Sequence, residues 1–478
     1  SDTNAKGEGI SPAYLIGSIR SLYPKLKIEG GAGVRPHKNS INNYCYPENP
    51  EAGIDLFLEK LVQETEKEHE DILEQADETD AMFGELYSWY LRNPEYRSRV
   101  QKLVQSAFAG KPKDIISQSV AKALYGEVSP YSATRLERFA ACAFAHFLQY
   151  GMKLTERVEY EFKPMDMGNV MHEALESFAE EVRKRGMKWT ELTEQERNEI
   201  ADRCLDNIVA DYGNTVLKSS ARNEYMIERT RRILRRTVWA LQKQLEQGEF
   251  QPEGFEVTFG GGRIDRVDIM EDQNKVYVKV IDYKTGNTSF DLVYLYHGLQ
   301  LQLMIYLDGA LRVEQKKYPD KEIIPAGVFY YNIKDPMIQE KIDADVEAVS
   351  AGLMKELKMN GLVQADPELV YRMDSSLGSI PVAFNKDGSF RKNSSVADRT
   401  QFAVLGRYVR TKIEKIRSSI LEGDAEVSPY ELGKKNACTY CPYMTVCGFD
   451  RRLSGYEFRR LKNFSDEELW KAFDREAE

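Results

Sequence analysis

Between Phe255 and Lys284 the chain stops reading as helix and starts reading as sheet. Phe255-Glu256-Val257-Thr258-Phe259 alternates apolar and polar residues, and Gly262-Arg263-Ile264-Asp265-Arg266-Val267-Asp268-Ile269 alternates again. A third run, Val276 to Lys284, closes on the turn Thr285-Gly286-Asn287. With Val276, Val278, Val280 and Ile281 this third run is apolar enough for a buried strand, yet it ends Asp282-Tyr283-Lys284. Desolvated charge at the end of a buried strand needs a reason. Asp282 and Lys284, two residues apart, share one strand face. Asp265 closes a Gly-x-x-Asp pattern on the preceding strand and approaches Asp282 if the two strands are neighbours. Carboxylates that close repel unless a cation lies between them. A hard divalent ion such as Mg²⁺, or Mn²⁺ in its place, takes carboxylate oxygens, waters and substrate phosphate. A lysine on the same face offsets charge that builds on a phosphate under attack. The combination suits metal-assisted phosphodiester hydrolysis.

The surroundings of this block are helical in pattern. A capping box at Thr134-Arg135-Leu136-Glu137 predicts a helix through Phe139, Cys142, Phe147 and Leu148 that stops at Gly151. Ile227, Leu234, Val238 and Leu241 make the apolar stripe of another helix, with Arg229, Arg232 and Arg236 on a different face as candidate contacts to nucleic-acid phosphates. A long helix is expected from about Leu292 to Arg312, followed by a strand at Gly327–Asn332. Strands, helix and strand together imply an α/β core sheet flanked by helices. Ala52 to Glu74 reads as an amphipathic helix with a charged end, residues 29 to 50 as an irregular connector, and Ser465-Asp466-Glu467-Glu468 as a capping box opening a last short helix. With 478 residues the chain is too long for one ordinary domain. The segment Gly126–Pro130 divides a mainly helical part, 1–125, from a catalytic domain, 126–478.

A net charge of −10 disfavours a broad nucleic-acid-binding surface but leaves room for a local basic groove. No stretch approaches the roughly 20 apolar residues of a membrane span. The chain starts without Met and without a secretory leader, and reads as a cytoplasmic piece of a longer protein. It carries no Gly-x-x-x-x-Gly-Lys-Ser/Thr loop, so no nucleotide-hydrolysing motor is expected within it. Cys438-x₂-Cys441-x₅-Cys447 crowds three thiols into one short loop, a metal-binding spacing that leaves a fourth ligand open; Cys142 is the natural candidate. Spacing does not separate zinc from iron. Cys45 and Cys204 have no partner pattern.

His172, then Gly262-Arg263-Ile264-Asp265, then Asp282-Tyr283-Lys284, then Gln302-Leu303-Met304-Ile305-Tyr306 resembles, in order, the motif series of RecB-type PD-(D/E)XK nucleases. With Ser132-Ala133-Thr134-Arg135-Leu136-Glu137 and Gly298-Leu299-Gln300-Leu301-Gln302, the stretch from about 130 to 450 is similar to the C-terminal nuclease region of the AddB family of helicase–nuclease subunits. Residues 1 to 125 are similar, more weakly, to the end of the helicase-like part. The resemblance implies a restriction-endonuclease-like core and metal ligation by His172, Asp265, Asp282 and the Tyr283 carbonyl. Glu256 is a further candidate for the acidic cluster. Lys284 would be the catalytic lysine, and Gln302 and Tyr306 would contact or orient DNA. The resemblance further implies a [4Fe–4S] cluster on Cys142, Cys438, Cys441 and Cys447, an AddA-like partner, and cleavage of the 5′-ended strand during double-strand-break processing for recombination. The alternatives are a free-standing iron–sulfur exonuclease of the CRISPR-adaptation type and a non-catalytic DNA-binding scaffold; intact Asp265, Asp282 and Lys284 weigh against the scaffold.

Overall fold

The computed structural model describes residues 18–19, 21–25, 50–66, 78–107, 115–126, 132–155, 164–211, 220–260, 262–338, 345–453 and 455–477. The connector at 29–50 therefore lies almost wholly outside the described residues, as do Cys45 and most of the Gly126–Pro130 boundary. Among the described residues no helix is long and apolar enough to cross a membrane. The chain divides into two compact units: residues up to Pro112 with 452–455, and Lys113–Arg451 with Tyr456–Glu478.

The first unit is helical, as its pattern predicts. Helices α1 (Pro50–Glu66), α2 (Glu78–Arg92) and α3 (Pro94–Ala107) bury Ile54, Phe57, Leu61, Tyr90 and Val100 between them. Phe57 stacks on Phe83 at 4.8 Å, and the Tyr90 hydroxyl donates to the Pro50 carbonyl at 2.6 Å. Helix α4 (Gln118–Tyr125), grouped with this part on sequence, packs in the second unit: Ala121 and Tyr125 are buried in that unit's core.

The second unit is built on a six-stranded mixed sheet in the order β1-β2-β3-β4-β5-β6. β1 (Gln251–Phe259), β2 (Gly262–Asp272) and β3 (Lys275–Lys284) form an antiparallel meander, matching the three runs read from sequence. β4 (Glu322–Asn332) lies parallel to β3, as a crossover through a helix requires. β5 (Asn360–Gln364) and β6 (Val396–Ala397) complete the edge; both are too short to show a period in the sequence. From Ile264 to Met270 and from Val276 to Tyr283 every residue is buried. Helices therefore cover both faces. On one face sit α5 (Ala133–Ala141), the crossover helices, α13 and α14; on the other sit α6 (Pro164–Lys184), α7 (Glu194–Asp211) and α8 (Ala221–Glu246). α11 (Val346–Glu356) and α12 (Pro367–Met373) precede and follow β5; α13 is Arg399–Glu422 and α14 is Asp466–Ala477. Ser465 and Glu468 make the expected cap on α14.

Three local expectations need correction. Ser132, not Thr134, caps α5: its side chain accepts from the Arg135 amide. That frees Glu137 for another task. The helix does not run on to Gly151 either. It ends at Ala141 because Cys142 is extended (φ −164°, ψ 118°), and the chain resumes as a turn of α-helix at Ala143–His146 and a π-helical turn at Phe147–Gly151. The helix expected over 292–312 is two: α9 (Leu292–Tyr296) and α10 (Gln302–Lys317). Gly298 separates them at φ +78°, where a Cβ would lie 3.2 Å from that of Ala140.

One polar group sits deep in the sheet. Arg266 and Asp268 are 2% and 0% exposed, pair at 2.5 and 2.9 Å, and are joined by the buried Lys279 ammonium 3.0 Å from Asp268. The Arg266 guanidinium also lies over the rings of Trp189 and Phe255.

Candidate active site

The site forms where β3 and β4 end together, the edge at which parallel strands present their carboxyl-terminal loops. The antiparallel register pairs Arg266 with Ile281 and so sets Asp265 across from Asp282. The β1–β2 hairpin pairs Phe255 with Arg266 and Val257 with Ile264, which sets Glu256 across from Asp265. From the helical layer behind the other face, α6 brings His172 over the sheet end. Its Nε2 is 3.1 Å from the Tyr283 carbonyl, and its Nδ1 is 3.4 Å from Asp265 Oδ2 and 3.8 Å from Glu256 Oε1. Ligand atoms of His172, Glu256 and Asp265 all lie within 4.8 Å of one another. Asp265 is held in place by the Tyr283 amide, which donates to its Oδ2 at 2.7 Å.

Asp282 is 1% exposed, and its Oδ1 has no hydrogen-bond partner among the described residues. The Lys284 ammonium is ion-paired with Asp282 Oδ2 at 2.5 Å and also donates to Gln302 Oε1 at 2.8 Å. Gln302 Nε2 in turn donates to the Tyr306 hydroxyl at 2.9 Å, so the side chains of Gln302 and Tyr306 are aligned one helical turn apart. Burial, then the neighbouring Asp265 charge, push the Asp282 carboxyl up to about 7 despite Lys284. Burial would lower the His172 imidazole, but hydrogen bonds to Asp265 and Glu256 and the charges of Asp265 and Asp282 outweigh it and carry it up to about 10. Burial also raises the Tyr306 phenol, which stays protonated.

Glu256 is thus a full member of the cluster. Its signal was the short hairpin: with Phe259 paired to Gly262, counting back three residues on each strand aligns Glu256 with Asp265. Its backbone is left-handed at φ +49°, a conformation that costs a non-glycine residue on the order of 1 kcal/mol or more and concentrates at functional sites. Its carboxylate is also paired with Arg263. Glu137 had no such signal, since its partners lie far along the chain: Glu137 Oε1 accepts from the amides of Leu301 and Gln302 at 2.7 and 2.9 Å.

The profile of the PD-(D/E)XK nuclease superfamily matches residues 130–448. The chain belongs to this superfamily. Among curated proteins it is similar to the B subunit of the ATP-dependent helicase/deoxyribonuclease of Lachnoclostridium phytofermentans, 38% identical over the whole of this chain and 42% of that protein. The proteins of the same name from Thermoanaerobacter sp. and Clostridium acetobutylicum are 34% and 30% identical over 99% and 98% of this chain, and 42% of each protein is covered. The chain therefore spans about two-fifths of the length of these relatives.

Away from the carboxylates, this PD-(D/E)XK chain gathers its four spaced cysteines. Cys142 and Cys441 pack against the same small apolar group, Ala145, Leu148 and Tyr443. Burial, then the proximity of Cys142, Cys441 and Cys447, push the Cys438 thiol up to about 12. Asn436 shapes the loop by accepting from the Cys438 and Thr439 amides at 3.0 Å. A small sheet of Tyr430–Leu432, Lys435–Asn436 and Arg459–Arg460 supports it, and the Arg459 guanidinium donates to the Ala140 carbonyl beside Cys142. Cys204 is an ordinary core thiol of α7. Of the three arginines on α8, Arg232 binds Asp335 at 2.6 Å, Arg236 lies 5.7 Å from the centre of the Trp239 ring, and Arg229 is exposed.

Proposed function

We propose that this chain is the divalent-metal-dependent DNA-cleaving part of an AddB-type helicase–nuclease subunit. The observation that carries the reading is the pair Asp265 and Asp282: Asp282 is 1% exposed and faces a second carboxylate at the end of a motif-bearing strand, with Lys284 as the one cationic side chain paired to it among the described residues. Two facing carboxylates carry more charge than one lysine offsets, a cost that a further cation between them removes. The donor set fits Mg²⁺ or Mn²⁺: ligand atoms of His172, Glu256 and Asp265 lie within 4.8 Å of one another, with the Tyr283 carbonyl beside His172 and Asp282 across from Asp265 as the further oxygen ligands. Bound there, such an ion supplies Lewis acidity toward a phosphate oxygen and lowers the pKa of a coordinated water.

The chain's own residues do the rest. Lys284, held by Gln302, presents an ammonium to the phosphate and stabilises negative charge as it develops. Tyr306, fixed by Gln302, offers a neutral hydroxyl to the DNA backbone. Arg229 and Arg236 contribute phosphate contacts on the approach to the site, and Arg232 joins them only by leaving Asp335. Deprotonated on binding, the four cysteines would offer an all-thiolate donor set suited to a [4Fe–4S] cluster. Bound there, the cluster joins the end of α5 to the loop after Asn436, which makes it a structural staple.

The names of the relatives support a deoxyribonuclease that works with a helicase. The resemblance to AddB adds an AddA-like partner and a role in processing broken DNA ends for recombination, with the 5′-ended strand as substrate. Purified protein incubated with end-labelled linear DNA in Mg²⁺ or in EDTA tests the reading. Metal-dependent release of labelled fragments is expected; intact DNA at every metal concentration refutes it.

A further inference from the structure

An α-helix leaves its first amides without partners, and a nearby side chain usually caps them. Helix α10 has no such local cap: Leu301, at its N-terminal boundary, makes no side-chain cap hydrogen bond. The acceptor comes from α5 instead. Glu137 Oε1 takes both the Leu301 amide at 2.7 Å and the Gln302 amide at 2.9 Å. The break at Gly298 makes this possible, because it exposes a fresh helix start beside the sheet end. Gln302, the residue so anchored, accepts from Lys284 Nζ at 2.8 Å and donates to Tyr306 at 2.9 Å. Its side-chain amide has one oxygen for Lys284 and its nitrogen for Tyr306, so the pair of contacts fixes its orientation. A chain of contacts therefore runs from Glu137 through the backbone of Gln302 to the catalytic ammonium. At its other end, α5 stops at Cys142, whose extended backbone begins the cysteine-bearing segment.

We infer that Glu137 is a positioning residue for DNA cleavage: it fixes the first turn of α10, and through Gln302 the place of Lys284, while tying that lysine to the helix that ends at Cys142. The inference rests on the nuclease reading above. Glu137 makes no hydrogen bond or ion pair to a proposed metal ligand, though its charge is felt at Lys284 and Asp282, and its contacts run to the helix start, so its effect belongs to the rate of the chemical step. A misplacement of about 1 Å at a reacting group lowers rates by roughly 100-fold.

The test is steady-state cleavage of single-stranded DNA by the whole chain, with Mn²⁺ affinity and thermal unfolding measured beside it. Glu137→Ala is expected to lower kcat roughly 10- to 100-fold, with KM and Mn²⁺ affinity within about threefold of wild type. Glu137→Gln keeps an acceptor oxygen at the same reach and is expected to retain most of kcat. Glu137→Asp keeps the charge but falls short of the amides, and is expected to be slower than Glu137→Gln. That order reads position rather than charge even if Glu137→Ala fails to fold. Combining Glu137→Asp with Gln302→Ala is expected to be no slower than Gln302→Ala alone, since both act through one contact. Wild-type kcat in Glu137→Ala, Glu137→Asp outperforming Glu137→Gln, or effects that multiply in the double variant would each overturn the assignment. A wild-type protein without metal-dependent cleavage would sink the nuclease reading itself, a result distinguishable from active wild type with unaffected Glu137 variants.

Discussion

Replacing Asp282 by Asn should make the metal-free protein more stable while removing its activity. The carboxyl is 1% exposed and is raised from its ordinary 3.8 to about 7, first by burial and then by Asp265. For a raised carboxyl, stability is fully present below the unfolded value and is lost as pH rises through the folded one. At pH 8 ionised Asp282 therefore costs the fold on the order of 4 kcal/mol as an upper limit, taking about 1.4 kcal/mol for each tenfold change in proton affinity. Asparagine has nearly the same shape and no charge to desolvate, and Lys284, whose side chain is 28% exposed, stays partly solvated without its partner. Urea unfolding in EDTA checks this. The variant should unfold at a higher midpoint than wild type at pH 8, and the gap should shrink as pH falls toward 5. Adding Mg²⁺ should stabilise wild type and leave the variant unmoved. Equal or lower stability of the variant at pH 8 in EDTA would refute the argument, because Lys284 would then fully offset the Asp282 charge and leave no need for a further cation.

Three further outcomes follow from the same geometry. Lys284→Ala should lose cleavage by roughly 100-fold or more while Mn²⁺ still raises its melting temperature, since the ammonium stabilises charge and is not a ligand. His146 is fully buried, accepts from Arg135 Nε at 3.1 Å, and is lowered to about 3 by burial and then by the Arg135 charge. Between pH 6.5 and 3 the unfolded chain takes a proton that the folded one refuses, so stability should fall by about 1.4 kcal/mol per pH unit, and His146→Gln should flatten that slope in acid titrations followed by circular dichroism. Cys142→Ser should lower the melting temperature and DNA affinity together and bleach the visible absorbance of anaerobically purified protein. Zinc near one per chain, without iron or acid-labile sulfide, would contradict the cluster.

The strands and the shared face of Asp282 and Lys284 were legible because period-two patterning and motif spacing are local signals; the approach of Asp265 to Asp282 depended on the two strands being neighbours, and the structure pairs them. Tyr306 was legible for the same reason, being one helical turn from Gln302. The helix breaks at Cys142 and Gly298 were not, because tertiary demands set both: one residue turns out of its helix toward distant thiols, and the other makes room beside Ala140. Glu137 looked like half of a local cap, and only the fold shows its carboxylate serving amides of another helix. Arg232 shows the opposite limit, since helical spacing placed it on a surface without revealing that Asp335 already engages it.

The buried charges in the middle of the sheet bear on how the strands find their pairing. β2 and β3 are covered on both faces, so neither has a wet side to distinguish the native alignment from a slipped one. Asp268 stands across from Lys279 and reaches it at 3.0 Å while holding Arg266. A slip of one residue would turn these groups to opposite faces. A slip of two would keep the faces but oppose Asp268 to Tyr277 or Ile281, leaving the desolvated Lys279 ammonium without its anion, a loss of about 3–5 kcal/mol. The trio works as a lock and key for alignment between two otherwise greasy ribbons. The same alignment sets Asp265 across from Asp282, so carboxylates on one face of the sheet are kept in step by charges on the other.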